Sequence, residues 1–218
     1  TGPFTYKWRM NNVEIPGATS PSYTTPTTTL ANSGQHFIVE VTNALGTATS
    51  QEAALTVVAP ASPATYYIDF ELGSDLNSGI SRNAPWKHAP GMYACAFNCA
   101  LFPIHGGDQI LFKGGVKWDS SNFPLVVSAS GTPGNPITYG VDPTWYAGSA
   151  WSRPVFNLDN ATWYSAPVLV DSANYVVFDN IEIENEQVST VGTWPPRSGI
   201  SVNGGSNVAI QNCYIHGW

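Results

Sequence analysis

The sequence is poor in charged residues, which narrows the classes of protein to which it can belong. Asp, Glu, Lys and Arg make up only 11% of its 218 residues, against roughly 25% in an average globular domain. With 8 basic and 15 acidic residues and a net charge of -7, the chain lacks the basic surface that binds phosphate backbones. We therefore expect no nucleic acid among its partners.

Long apolar runs are also missing. No stretch approaches the roughly 20 residues needed to cross a bilayer, so we expect no membrane insertion. The first residues, Thr1-Gly2-Pro3-Phe4, lack the charged and apolar regions of a signal peptide, and we expect any export signal to have stood upstream. The predicted location is extracellular or at the cell surface.

Cysteine is scarce, with three residues in the chain. Cys95 and Cys99 lie four apart in the loop-like stretch ACAFNCALF, and we predict a local disulfide between them in an oxidising compartment. A metal site at this pair would need two further soft ligands, for which His88 and His105 are the available donors. Cys213 lies in an apolar alternation and is predicted to be a buried free thiol.

Turn-forming and aromatic residues are plentiful, with 20 Gly, 17 Pro and 12% aromatic residues. This mixture suits strands and turns rather than surface helices. Near the N-terminus, Tyr6 and Trp8, then Phe37, Val39 and Val41, alternate with polar neighbours in the manner of strands. The predicted fold class is all-β.

The first segment, residues 1–58, resembles the later half of a bacterial immunoglobulin-like domain in the stretches YKWRMNNVEIPGAT and TTLANSGQHFIVEVTNALGTATS. The resemblance implies that Trp8 is the core tryptophan, and that Phe37 and Val39 replace the corner tyrosine and the second cysteine of such domains. The two strands that should precede Trp8 are not in this chain. We therefore expect a partial sandwich with exposed edge strands, completed by more of a parent chain or by another copy.

Residues 59–64 are predicted to be a Pro/Ala linker, because they have no periodicity and contain Pro60 and Pro63. Beyond it, YYIDFELGSDLNSGISRNAPWKH, HGGDQILFKGGVKW and SGTPGNPITYG resemble the opening sequences of pectate-lyase-like, right-handed parallel β-helices. The resemblance covers residues 65–218 and implies an opening segment followed by the first coils. It does not specify a reaction, because this architecture carries lyases, hydrolases, epimerases and adhesins.

An internal repeat gives independent support for stacked coils. Laying PVLVDSANYVVFDNIEIEN over GISVNGGSNVAIQNCYIHG at an offset of 32 residues matches apolar residues with apolar residues at alternating positions, without a gap. The matched pairs are Val168 with Ile200, Val170 with Val202, Val176 with Val208, Phe178 with Ile210, Ile181 with Cys213 and Ile183 with Ile215. A fixed offset of this kind is what stacked coils require, since each coil buries its inward side chains against its neighbours.

One repeat is predicted to contain three strands, at 168–170, 175–179 and 181–184. The single residue between the last two strands, Asn180 in one repeat and Asn212 in the next, would form a tight bend, where Asn tolerates a left-handed backbone. Stacking would place these two amides one above the other, and we expect them to hydrogen-bond along the stack.

The loop between Asn185 and Gly199 is longer than a coil needs. In pectate-lyase-like β-helices the loops at this turn wall the sugar groove, so the resemblance implies that Trp194 and Arg197 bind substrate, together with Trp218. A tryptophan face suits a sugar ring, and an arginine suits a carboxylate. The alternative is that Trp194 covers the side of the helix and Arg197 is simply solvated.

Outward carboxylates at Asp179, Glu182 and Glu184 are candidate calcium ligands, although a solvated acidic strand needs no such role. No other cofactor is expected. His216 and Glu184 are weak catalytic candidates, because neither the base of a lyase nor the carboxylate pair of a hydrolase is identifiable. We therefore expect the catalytic residues to lie outside this chain.

The sequence predicts a secreted or cell-surface bacterial protein that binds or cleaves plant or algal polysaccharide, as a lyase or a glycoside hydrolase if it is an enzyme. A second interpretation is an extracellular structural protein, an adhesin or fibre subunit, whose copies complete one another's sheets and coils. A third is a carbohydrate-binding module without turnover.

Overall fold

The architecture was analysed in a computed structural model of the chain. It describes residues 2–58, 63–159, 166–184 and 198–217. The chain divides into two compact units, Thr1–Ala59 and Pro60–Trp218. The division falls inside the predicted linker 59–64, most of which lies outside the described residues.

The first unit is one antiparallel sheet. Its strands are β1 (Thr5–Met10), β2 (Val13–Glu14), β3 (His36–Asn43), β4 (Gly46–Thr49) and β5 (Ala53–Ala54), with a 3-10 turn at Leu30–Asn32. The order is β2-β1-β3-β4, and β5 also pairs with β3. Strand pairing and alternation agree with the periodicity of the sequence, in which apolar and polar side chains take opposite faces.

One face of this sheet is apolar and the other is charged. On the apolar face Trp8 lies opposite Val39, whereas on the other face Arg9 Nε lies 2.9 Å from Glu40 Oε1. No side chain within residues 2–58 is fully buried. Trp8, predicted to be a core residue, is only half-buried and donates its indole N–H to the Ser20 carbonyl over 3.0 Å. The second layer of a sandwich is not among the described residues.

The second unit is built from twelve strands. They are β6 (Thr65–Ile68), β7 (Gln109–Gly114), β8 (Lys117–Trp118), β9 (Leu125–Val127), β10 (Ile137–Tyr146), β11 (Val155–Asn157), β12 (Val168–Asp171), β13 (Asn174–Asp179), β14 (Glu182–Glu184), β15 (Ile200–Asn203), β16 (Ser206–Gln211) and β17 (Tyr214–Ile215). One short helix, α1 (Phe97–Leu101), and a 3-10 turn at Ser120–Asn122 complete the described elements. The prediction of an all-β chain is confirmed.

These strands stack into three parallel sheets. The first sheet has the order β16-β13-β10-β7-β6, the second β17-β14-β11-β8 and the third β15-β12-β9. After β6, which pairs in the first sheet, three successive coils each add one strand to the first sheet, one to the second and one to the third; in the fourth coil, β16 joins the first sheet and β17 the second. The chain therefore winds as a parallel coil stack, with each coil hydrogen-bonded to the next.

The predicted register of the repeat is confirmed. Val168 pairs with Ile200 and Val170 with Val202 in the third sheet. Phe178 pairs with Ile210 in the first sheet. The strands β12, β13 and β14 coincide with the three predicted ones to within a residue, since β14 begins at Glu182 rather than Ile181.

The predicted bend is confirmed in its backbone but differs in its hydrogen bonds. Asn180 and Asn212 have φ values of 60° and 53°, both left-handed. Their side-chain amides do not bond to each other as predicted: both donate to Asp179 Oδ1, over 3.2 Å from Asn180 and 2.8 Å from Asn212. A carboxylate is the stronger acceptor, which explains why it takes both amide donors.

The interior of the coil stack is aromatic and fully buried. Phe112 packs edge-on against Phe156 at 5.1 Å between ring centroids, and Tyr139 stacks on Phe178 at 5.4 Å. Desolvation in this interior raises the pKa of Tyr139. At the beginning of the stack, Tyr66 on β6 stacks on Trp86 at 4.6 Å, and Trp86 has no exposed surface. Trp86 therefore caps the first coil, as an apolar core requires at its end.

The cap segment, residues 69–102, is organised by buried carboxylates and by a disulfide. Asp75 accepts hydrogen bonds from the backbone N–H groups of Lys87, His88 and Ala96, and it lies 2.7 Å from His88 Nδ1. A disulfide joins Cys95 to Cys99. These contacts fix a segment that has little regular secondary structure.

Cys213 is free, as predicted, but only half-buried. Its thiol lies 3.7 Å from the Phe178 carbonyl oxygen, one coil earlier in the stack. Desolvation raises the pKa of this thiol. Among the residues that the structure describes, no helix is both long and apolar enough to span a bilayer.

Candidate functional site on the second parallel sheet

The outer face of the second sheet gathers most of the ionisable side chains singled out in the sequence. Strand alternation turns Ile183 inward, where it is 1% exposed, and turns Glu182 and Glu184 outward. In the next coil Tyr214 pairs with Glu182 and Ile215 with Ile183, so that His216 follows on the same outer face. We refer to Lys117, Glu182, Glu184, Tyr214 and His216 as the acidic face.

Two side-chain contacts organise the acidic face. His216 Nε2 lies 2.9 Å from Glu182 Oε1, and Lys117 Nζ lies 2.6 Å from Glu184 Oε1. Lys117 comes from β8 and spans β11 to reach β14, where the intervening outward residue is Val155. Because Val155 offers no polar group, the lysine is free to extend to Glu184.

The Tyr214 ring borders the contact between His216 and Glu182. Tyr214 stacks on the His216 imidazole, with 4.2 Å between centroids and 25° between planes. Tyr214 is 54% exposed, so the other face of its ring is open to a ligand. The face thus combines a ring surface with carboxylate acceptors, the groups that contact the C–H and hydroxyl sides of a sugar.

The predicted catalytic candidates, His216 and Glu184, lie on the same face but do not form a hydrolytic pair. Glu182 and Glu184 are on one strand and point the same way, whereas hydrolysis needs two carboxylates on opposite sides of the bond. Each carboxylate also already has a side-chain partner, Lys117 for Glu184 and His216 for Glu182. Within the described residues, the acidic face is therefore suited to holding a ligand rather than to cleaving it.

The donor set fits calcium poorly. Ligand atoms of Glu182, Glu184 and His216 lie within 4.8 Å of one another, but calcium prefers oxygen ligands and one of these donors is an imidazole nitrogen. Lys117 already neutralises Glu184. Asp179, the third predicted calcium ligand, instead accepts the amides of the two bend asparagines.

The predicted sugar-binding residues Trp194, Arg197 and Trp218 all lie outside the described residues. The outer face of the third sheet, where the β-helix resemblance places the groove, carries Leu169 opposite Ser201, with Val126 one coil earlier. None of these three side chains is ionisable.

Sequence reasoning missed Lys117 and Tyr214, for different reasons. The 32-residue offset places Tyr214 over Glu182 and His216 over Glu184, so the repeat already contained the signal for Tyr214. Lys117 gave no comparable signal, because the loops between the first coils differ in length and hide the register. Its outward position directly before the buried Trp118 was the one available indication.

Comparison with known proteins gives carbohydrate-active relatives. No protein-family profile matches the chain. A curated lacto-N-biosidase from Bifidobacterium longum subsp. longum is 27% identical over 205 residues, covering 74% of this chain and 12% of that protein. The chain therefore spans only a small part of this relative.

Two solved structures are similar. The GH136 lacto-N-biosidase from Eubacterium ramulus superposes with a TM-score of 0.52 at 22% sequence identity, covering 70% of this chain and 27% of that one. A rhamnogalacturonan lyase superposes with a TM-score of 0.49 at 18% identity, covering 71% of this chain and 37% of that one. The first of these shows that the fold is shared.

Proposed function

We propose that this chain is part of a secreted or cell-surface bacterial carbohydrate-active protein of the glycoside hydrolase type. The observation that carries the proposal is the 27% identity over 205 residues with the lacto-N-biosidase of Bifidobacterium longum. The fold by itself does not specify a reaction. The disulfide between Cys95 and Cys99 supports an oxidising compartment.

The acidic face is proposed to hold the carbohydrate beside the place of cleavage. The exposed ring of Tyr214 would stack on a sugar ring, and Glu182 would accept hydrogen bonds from hydroxyl groups. His216 orients Glu182 through their 2.9 Å contact. The catalytic carboxylates are proposed to come from outside the described residues, because Glu182 and Glu184 share one strand and one direction.

The test is product release by the full-length parent protein. The substrates are a chromogenic lacto-N-bioside and the plant and algal polysaccharides pectin, alginate and xylan. A hydrolase yields new reducing ends without unsaturated products, whereas a lyase yields unsaturated, ultraviolet-absorbing ones. Absence of hydrolysis on all four substrates would overturn the proposal.

Two variants of the full-length protein test whether the acidic face binds the carbohydrate. Glu182→Gln is expected to raise KM with little change in kcat, because it removes binding that is the same in ground and transition states. Glu71→Gln, at an exposed position in the cap segment, is the matched control. A fall in kcat at unchanged KM would instead assign Glu182 to the chemistry.

A second candidate function, assembly into an extracellular fibre or adhesin, is favoured by one observation. The antiparallel sheet of residues 2–58 has an apolar face and no fully buried side chain, and a sheet whose apolar face is only partly covered invites pairing with another chain. Light scattering on the purified chain tests it. Growth of mass with concentration would support assembly, and a constant monomer mass would contradict it.

A further inference from the structure

The second coil contains a loop that is longer than is needed to close the coil. In the third and fourth coils two residues, the first of them the left-handed Asn180 or Asn212, separate the strand of the first sheet from that of the second. In the second coil the same turn takes the eight residues 147–154, between β10 and β11. Surplus loop length on a rigid scaffold is where binding residues concentrate.

The strand leading into this loop is also irregular. Val141 pairs with Phe112 and Tyr146 pairs with Gly114, so four residues, 142–145, stand opposite Lys113 alone. Such bulges redirect side chains out of a regular strand. Here the bulge turns Trp145 onto Tyr67, with their rings nearly perpendicular at 5.3 Å between centroids.

The loop is pinned at both ends to the preceding coil. Ala147 N donates to the Gly114 carbonyl over 2.8 Å, and Gly115 N donates to the Arg153 carbonyl over 3.1 Å. Arg153 Nε in turn donates to the Asn212 carbonyl over 3.0 Å, two coils further on. The loop is therefore held along the bend edge of the stack by contacts to coils on both sides.

Two large aromatic side chains meet over Gly114. A side chain at this position would place its Cβ 3.1 Å from Tyr146 Cβ, 3.3 Å from Trp151 Nε1 and 2.6 Å from the Ser152 carbonyl oxygen. The absence of a side chain at Gly114 thus leaves room for both Tyr146 and Trp151 close to this strand. Tyr146 remains 37% exposed and Trp151 36% exposed.

The charged side chains of the adjoining strands are already paired. Lys113 Nζ lies 2.7 Å from Asp69 Oδ2, and Asp142 is paired with Arg82. The exposed residues between the two rings are uncharged, from Gly148 to Ala150. Arg153, the charged residue of the loop, donates its Nε to the Asn212 carbonyl. An aromatic surface whose charged neighbours are already engaged suits a neutral sugar, and the net charge of -7 disfavours a polyanionic one.

We propose that Tyr146 and Trp151 form a binding surface for neutral polysaccharide, on a different sheet edge from the acidic face. The two rings stack on pyranose rings, and the pinned loop keeps them in place before the ligand arrives. Preorganised aromatic side chains bind at a low cost in conformational entropy. This surface would hold the protein on its substrate and takes no part in cleavage.

Affinity gel electrophoresis of the 218-residue chain tests the proposal, with xylan and galactomannan as neutral probes and polygalacturonate as the charged one. The native chain is expected to be retarded by a neutral probe and not by polygalacturonate. Trp151→Ala and Tyr146→Ala are each expected to weaken retardation by about tenfold, as loss of one well-packed aromatic contact implies. Tyr93→Ala, which removes an 80% exposed tyrosine of the cap segment, is the matched control and is expected to change nothing.

Several results would overturn the proposal. They are the absence of retardation by both neutral probes, retardation by polygalacturonate alone, or unchanged retardation of Trp151→Ala. Far-UV circular dichroism and the urea midpoint verify that each variant is folded, and the milder Trp151→Phe should retain most of the binding. If the molecular mass of Trp151→Ala in solution differed from that of the native chain, the surface would instead be a contact between copies. None of these readouts depends on product release, so this proposal and the proposed hydrolase activity can fail separately.

Discussion

At the scale of single residues, Asp142 shows how the cap segment is tied to the coils. Burial opposes ionisation of this carboxyl, but hydrogen bonds from the Thr144 side chain and backbone, together with Arg82, outweigh it and hold the pKa of Asp142 below its usual value. A lowered folded-state pKa contributes stability above the unfolded pKa of about 3.9, which is lost as pH falls through the folded pKa.

We therefore predict a pH-dependent effect of Asp142→Asn. At pH 7 the variant should unfold with a free energy lower by about 1 kcal/mol, a modest value because Arg82 is partly solvated. As pH falls below about 4 the gap to the native chain should narrow, and it should close only below the lowered folded-state pKa, where the native carboxyl is protonated. Urea titrations at both pH values measure it, with Glu71→Gln as the control. A gap that stayed constant over this range would show that ionisation is not its cause.

The left-handed bend at Asn180 gives a second residue-scale prediction. Alanine in this conformation costs about 1–2 kcal/mol, whereas glycine adopts it freely. Asn180→Ala and Asn180→Gly both lose the amide bond to Asp179, so comparing them isolates the backbone term. We expect Asn180→Ala to be the less stable by about 1 kcal/mol in urea unfolding. Equal stability of the two variants would contradict the bend.

At the scale of elements, stability depends on the position of a strand in the stack. Val170 and Val202 are register partners in neighbouring coils, yet Val170 is fully buried while Val202 is 44% exposed. Val170→Ala should lower the free energy of unfolding by about 2 kcal/mol, and Val202→Ala by less than half as much. Chemical denaturation measures both. Similar losses at the two positions would mean that the coils are not packed in this register.

The coils could be predicted from the sequence only where their inward residues are separated by a constant number of residues. Ile110, Tyr139, Phe178 and Ile210 form one inward column, separated by 29, 39 and 32 residues. A constant offset revealed the last pair, because inward positions must stay apolar in every coil. The bulge and loop of the second coil lengthen the spacing between Tyr139 and Phe178, and the unequal earlier spacings concealed the other pairs.

The candidate site could likewise be predicted only where it lies within the regular repeat. The outward direction of Glu182 and Glu184 followed from strand alternation, and the position of His216 followed from the repeat. The pairing of Lys117 with Glu184 depends on a register across two coils that have different loop lengths. Asp179 accepts hydrogen bonds from the side-chain amides of the two bend asparagines. Periodicity does not show which acceptor such amides choose.

At the scale of the whole molecule, the chain consists of two compact units whose stability has different origins. The coil unit buries a continuous aromatic and aliphatic interior, whereas no side chain within residues 2–58 is fully buried. A single sheet whose apolar face is only partly covered has little independent stability.

We therefore predict that removing residues 1–62 leaves the coil unit folded. The thermal midpoint followed by near-UV circular dichroism, which reports the packed Trp86 and Trp118, should stay within a few degrees of that of the whole chain. The complementary fragment, residues 1–62 alone, is expected to be unfolded or associated. Loss of the near-UV signal from residues 63–218 would show that the two units depend on each other.

The cap formed by Trp86 has a consequence for how the polypeptide acquires its structure. Trp86 packs against Tyr66 at the beginning of the stack, where the first turn is completed. We expect each finished turn to serve as the template for the next one, so that the stack forms in the direction of synthesis from the turn that this tryptophan closes.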